Sequence, residues 1–110
     1  MTVVKVDPGI CGFLTRVESI PDEDLEMVSL DVRSGCEAVR NMMQDLGSEF
    51  DSFECCLVKP GCDPFSEYAQ EHFPGHASCP IISGILKCIE VSCNLALPKD
   101  VSITFEKEEV

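Results

Sequence analysis

The sequence predicts an α+β fold in which an antiparallel sheet of about four strands carries helices on one face, in the order βββαααβ. Three observations carry this. The first third of the chain alternates apolar and polar residues with the period of a strand. From residue 34 the apolar positions recur with helical spacing, and after Pro98 a short alternating segment returns.

The first strand is Thr2 to Val6, short and rich in β-branched residues. In the second, Phe13, Thr15 and Val17 alternate with Leu14, Arg16 and Glu18; in the third, Val28, Leu30 and Val32 alternate with Ser29 and Asp31. Pro8-Gly9 and Pro21-Asp22 supply turns between them, so a meander is the simplest connection. Ser34, with Glu37 three residues on, forms a capping box for a helix whose apolar face is Cys36, Val39, Met43 and Leu46, with Met42 beside it; Gly47 ends it. The stretch from Phe50 to Lys59 has no decisive period, and Pro60-Gly61 closes it as a loop. Asp63-Pro64 is an N-cap followed by proline at the first helical position, and Phe65, Tyr68, Ala69 and Phe73 form the apolar side of that helix. After Pro74-Gly75, Cys79-Pro80 begins the strongest helix, with Ile82, Leu86, Ile89 and Cys93 on one face and Ile81, Ile85 and Cys88 on an adjacent one. So wide an apolar surface belongs to a central, largely buried helix. Val101, Ile103 and Phe105 then alternate with Ser102 and Thr104 as a last strand able to join the sheet.

A chain of 110 residues is the size of one domain with one core, residues 1–110, and 45% apolar with 25% charged residues is a globular composition. The net charge of −12 repels phosphate backbones and leaves no basic stripe, which excludes nucleic acid as a partner and disfavours anionic membranes. The longest apolar stretch, Ile81 to Leu97, is interrupted by Ser83, Lys87, Glu90 and Asn94 and falls short of the roughly 18 uninterrupted apolar residues of a membrane span. With no basic, apolar and small-residue leader at its start, the chain is expected in the cytoplasm, as a soluble protein. A protein partner stays open, and composition does not address the oligomeric state.

Eight cysteines in a reducing compartment point to metal ligation, thiol chemistry or core packing rather than disulfides. Cys11 lies in a glycine-flanked loop where backbone N–H groups can approach a thiolate. Cys36 and Cys79 fall at predicted helix starts, where unpaired N–H groups stabilise a thiolate, and Cys62 sits just before a third helix. His76, three residues ahead of Cys79, is placed to reach the same metal; His72 belongs on a helix surface. No Cys-x-x-Cys pair is present. Cys88 and Cys93 belong in the apolar helix as small core residues, and the adjacent Cys55 and Cys56 do not readily face one metal together.

The segments Val6-Asp7-Pro8-Gly9-Ile10-Cys11-Gly12-Phe13, Ser34-Gly35-Cys36-Glu37-Ala38-Val39 and Cys79-Pro80 through Leu97-Pro98-Lys99-Asp100-Val101 resemble a family of small cysteine-containing domains of unknown function. The resemblance implies that Cys11, Cys36 and Cys79 belong to a shared pattern, with His76 beside them. It names no chemistry, and it does not extend to Cys55, Cys56 and Cys62.

The expected function is therefore binding of zinc or an iron–sulfur cluster, with Cys11, Cys36 and Cys79 as thiolate ligands and Cys62 or His76 completing the set. Two alternatives stand beside it: a non-catalytic interaction domain with core cysteines, and a thiol redox protein with a low-pKa cysteine at a helix start. No hydrolase, kinase or dinucleotide motif is present, and no catalytic residue is assigned.

Overall fold

The computed structural model describes residues 1–107. Four strands, β1 (Thr2–Val6), β2 (Thr15–Pro21), β3 (Met27–Ser34) and β4 (Glu49–Asp51), form one antiparallel sheet in sequential order. Four helices accompany it: α1 (Glu37–Leu46), α2 (Ser52–Cys56), α3 (Pro64–His72) and α4 (Ile81–Ser92). The predicted α+β class, with a four-stranded antiparallel sheet, is the one observed.

The register explains the alternation in the sequence. Val4 opposes Val17, which opposes Val32; Thr2 opposes Ser19, which opposes Leu30; Pro21 opposes Val28, which opposes Phe50. These rows face the helices, and Val17, Val28, Leu30 and Phe50 are buried among them. The other face carries Lys5, Arg16 and Arg33 in one row and Glu18 and Asp31 in the next, with ion pairs Arg16–Glu18 and Arg33–Asp31. One apolar face and one charged face is the ordinary condition of an antiparallel sheet covered on one side.

Helix α4 supplies the opposing core surface through Ile81, Ile85, Cys88 and Ile89, all essentially inaccessible. Full burial of each isoleucine contributes about 1.5–3 kcal/mol of hydrophobic stabilisation. The helix lies close to β1 because residue 84 is glycine: a side chain there would collide with Val6. One turn on, the Cys88 thiol donates to the Thr2 carbonyl at 3.4 Å and the Val17 carbonyl at 3.6 Å, and a further turn on, Ser92 Oγ donates to Ser19 O at 3.5 Å. Since Val6 pairs with Thr15 and Thr2 with Ser19, α4 runs from the Val6 end of β1 to its Thr2 end. It ends where Asn94, at φ 59°, lets Leu95 N–H reach Glu90 O at 2.7 Å and Asn94 N–H reach Val91 O at 3.2 Å, a Schellman closure.

Four details differ from the sequence expectation. Strand β2 begins at Thr15, and Phe13 and Leu14 belong to the loop before it. Cys36, not Ser34, is the N-cap of α1; Ser34 Oγ instead accepts the Cys36 N–H at 3.1 Å, just ahead of the helix. The undecided stretch after Phe50 holds β4 and α2, capped by Asp51 Oδ1, which accepts from Phe53 and Glu54. The fourth strand is thus β4, whereas Val101 to Phe105 is exposed and joins no sheet among the described residues. Asp63 caps α3 as expected, Oδ2 accepting from Ser66 N at 3.0 Å with Pro64 at the first position.

Candidate functional site

The eight cysteines are all free thiols and separate into two sets. Cys55, Cys88 and Cys93 are buried and Cys56 half-buried, held among the sheet, α2 and α4. Burial pushes the Cys88 thiol up to about 11, against a smaller opposing pull from the backbone N–H groups of Val4 and Ser19. Burial also pushes Cys55 up to about 12, helped by Cys56 and Asp63, and Cys56 to about 12, helped by Glu90 and Cys93. Cys93 is raised by the same desolvation. These thiols stay protonated at neutral pH and act as small apolar residues with a weak donor; Cys56 donates to Leu86 O at 3.6 Å and ties α2 to α4. The assignment of Cys88 and Cys93 to the core agrees with this environment, and Cys55 joins them.

Cys11, Cys36, Cys62 and Cys79, the residues singled out in the sequence, are the exposed or half-exposed set, apart from Cys56. Cys11 is in the β1–β2 loop, which is shaped by Gly9 and Gly12 at φ 91° and 73°, by Asp7 Oδ1 accepting from Gly9 N–H at 3.0 Å, and by Gly12 N–H on Gly9 O. Cys36 holds the N-cap position of α1 directly after β3, without a side-chain capping bond, and Arg40 grips the corner by donating to Ser34 O at 3.2 Å and Gly35 O at 2.8 Å. Cys79 stands two residues ahead of α4, its N–H directed to His76 O at 3.5 Å, and His76 is exposed in the preceding loop.

Topology collects three of these at one end of the sheet. Val6, Thr15 and Ser34 form one cross-strand row, so the loop carrying Cys11 leaves from the end at which β3 delivers Cys36. The two are joined by packing of Phe13 on Gly35, where a Cβ would lie 2.9 Å from the ring, and by Thr15 Oγ1 donating to Ser34 Oγ at 2.8 Å. The N-terminal end of α4 approaches the same row through Gly84 on Val6, which brings the segment of Cys79 and His76 to this pole. Cys62 is elsewhere: its loop leads into α3, whose first turn is anchored by Phe65 against Phe50 of β4, ring centroids 4.8 Å apart. That loop, α2 and the outer flank of α4 line a cleft of about 360 Å³ that includes Cys55, Cys56, Lys59, Asp63 and Glu90.

Among the described residues, no three His, Cys, Asp or Glu side chains are grouped so that they could hold a metal ion. The pole therefore gathers thiols in one region without closing them into a ligand set. It also presents apolar surface: Ile10 is fully exposed, Leu14 about two-thirds and Phe13 a little under half. The sequence pointed to Cys11, Cys36 and Cys79 through their loop and helix-start positions; the apolar rim around Cys11 had no such signal, because Phe13 and Leu14 read as strand. No helix among the described residues is long and apolar enough to cross a membrane.

A family model, Family of unknown function (DUF6951), matches residues 2–105. No curated protein and no solved structure matches the chain.

Proposed function

For a chain that belongs to this family of unknown function, we propose binding of a thiophilic metal ion or an iron–sulfur cluster at the pole, with Cys11, Cys36 and Cys79 as thiolate donors and His76 as the fourth. The observation that carries this reading is that cysteines far apart in sequence are delivered to one end of the sheet by three different connections. Soft thiolates with one imidazole suit zinc, and a mostly thiolate set suits an iron–sulfur cluster. Binding would close the pole, with the Gly9 and Gly12 pivots letting the Cys11 loop move toward Cys36 and Cys79. It would release protons, since each thiol must ionise to bind, so affinity should fall as pH is lowered.

The test is purification without oxygen or affinity metal, followed by an ultraviolet–visible spectrum and the stoichiometry of iron, zinc and sulfide. Colour with iron and sulfide identifies a cluster; one zinc per chain without colour identifies a zinc site. Cys11→Ser, Cys36→Ser and Cys79→Ser should each lose the metal, with Cys62→Ser unaffected. Full occupancy in the Cys79 variant, or folded wild-type protein that neither retains nor takes up metal, overturns the reading.

A second reading draws on the exposed apolar residues at the same pole. Ile10, Phe13 and Leu14 beside Cys11 support a protein-binding surface in which the thiols are incidental. That reading predicts that Ile10→Asp abolishes partner capture while the three serine variants retain it.

A further inference from the structure

Strand β1 is the first strand of a sheet ordered β1-β2-β3-β4, so among the described residues one of its edges has no neighbouring strand. An edge of this kind carries a row of backbone N–H and C=O groups able to template another strand. The same chain also carries a strand-patterned, exposed segment that pairs with no strand among the described residues. Val101, Ile103 and Phe105 are 65%, 84% and 102% exposed and alternate with Ser102 and Thr104. The family match runs from Thr2, the first residue of β1, to Phe105, so the segment lies within the family's unit.

We propose that Val101–Phe105 of a second copy of this chain adds to the free edge of β1 as an antiparallel strand, each copy completing the other's sheet. Length and side-chain pattern both fit. With Val101 opposite Val6, Ile103 opposite Val4 and Phe105 opposite Thr2, every apolar residue of the added strand falls on the helix-facing side of β1. Ser102 then opposes Lys5 and Thr104 opposes Val3 on the other face. In this direction Phe105 arrives at the Thr2 end of β1. The C-terminal end of α4 lies toward that end too, and Val91, next on the helix stripe that carries Gly84 and Cys88, lines a hollow of about 530 Å³ with Asn94, Leu95, Ala96, Leu97 and Pro98. The aromatic ring is the natural filling for that hollow, and the half-buried Val4 and Val6 gain cover.

Direction distinguishes a second copy from the chain's own tail. Helix α4 runs from the Val6 end to the Thr2 end of β1, so the tail leaves at the Thr2 end and along its own β1 would run parallel. A second copy supplies the antiparallel strand that matches the rest of the sheet, in a closed two-fold exchange.

The experiment is sedimentation equilibrium of the full chain, of a chain ending at Pro98, and of Ile103→Lys, with hydrogen exchange at the β1 amides. The full chain should dimerise and its β1 amides be protected. Truncation should give a monomer. Ile103→Lys, altering a side chain exposed in the single chain, should keep the circular dichroism spectrum and weaken dimerisation roughly tenfold to hundredfold for each buried isoleucine lost. A monomeric full chain, with or without a protected tail, overturns the proposal, as does a dimer that survives both changes.

Discussion

Cys88 sits in the middle of α4 with its thiol on the Thr2 and Val17 carbonyls, whereas Cys79, in the loop leading into the same helix, stays partly open. The two residues are chemically identical and close in sequence, yet the first belongs to the layer that holds the fold together and the second to the pole. Desolvation makes the difference. Cys88 is surrounded by Val17, Ile85 and Ile89 and is pushed up to about 11, so it is a packing residue. At the pole Cys11, His76, Ile10 and Leu14 are exposed, while Cys36 and Cys79 are half-buried against the edge of the core. Core packing and the proposed thiol site thus fall on different parts of one helix-on-sheet unit, the site on its loops.

The sharpest way to break this contrast is to truncate one apolar residue in each region. Ile85→Ala removes a fully buried side chain and should lower the unfolding free energy by about 2–5 kcal/mol, read by urea denaturation. Ile10→Ala, at a fully exposed position, should change it by less than about 0.5 kcal/mol. Similar losses at the two sites would mean that the pole is part of the core.

A smaller effect comes from alkali. The thiols of Cys55, Cys56 and Cys88 are raised from about 9.0 in the unfolded chain to about 11–12 in the fold, and Cys93 moves the same way. A raised thiol holds its proton in the folded state after the unfolded state has lost it. The stability it contributes is therefore complete below pH 9 and is lost as pH rises from about 9 toward 11–12. Denaturation midpoints measured across that interval should fall in the wild type and fall less steeply in Cys88→Ala, compared with its own value at pH 7.

Much of the scaffold was legible because it depends on periodicity. Strand β1 followed from its β-branched run, β2 and β3 from alternation, and α1, α3 and α4 from apolar spacing and the Asp63-Pro64 start. Strand β4 and helix α2 were not, since three and five residues are too few to establish a period. Ser34 looked like a cap because a serine with Glu37 three residues on has the capping-box pattern, but its hydroxyl accepts from Cys36 N–H, and Cys36 holds the N-cap position. Val101 to Phe105 has a strand's pattern and no strand's position, because alternation describes a segment that can pair without naming its partner. At the site, loop and helix-start positions picked out Cys11, Cys36 and Cys79. Their arrival at one pole is a property of the register row Val6, Thr15 and Ser34 and of the close approach at Gly84, neither of which short-range spacing contains. Cys62 had the same local signal and a different place in the fold.

The most direct test of the pole as a thiol site is native-state alkylation mapped by mass spectrometry, with and without one equivalent of zinc. Without metal, Cys11 and Cys62 should label first, Cys36 and Cys79 more slowly, and Cys55, Cys88 and Cys93 only on unfolding. With zinc, Cys11, Cys36 and Cys79 should be protected together while Cys62 labels as before. Unchanged labelling of Cys11, or protection extending equally to Cys62, would contradict the account.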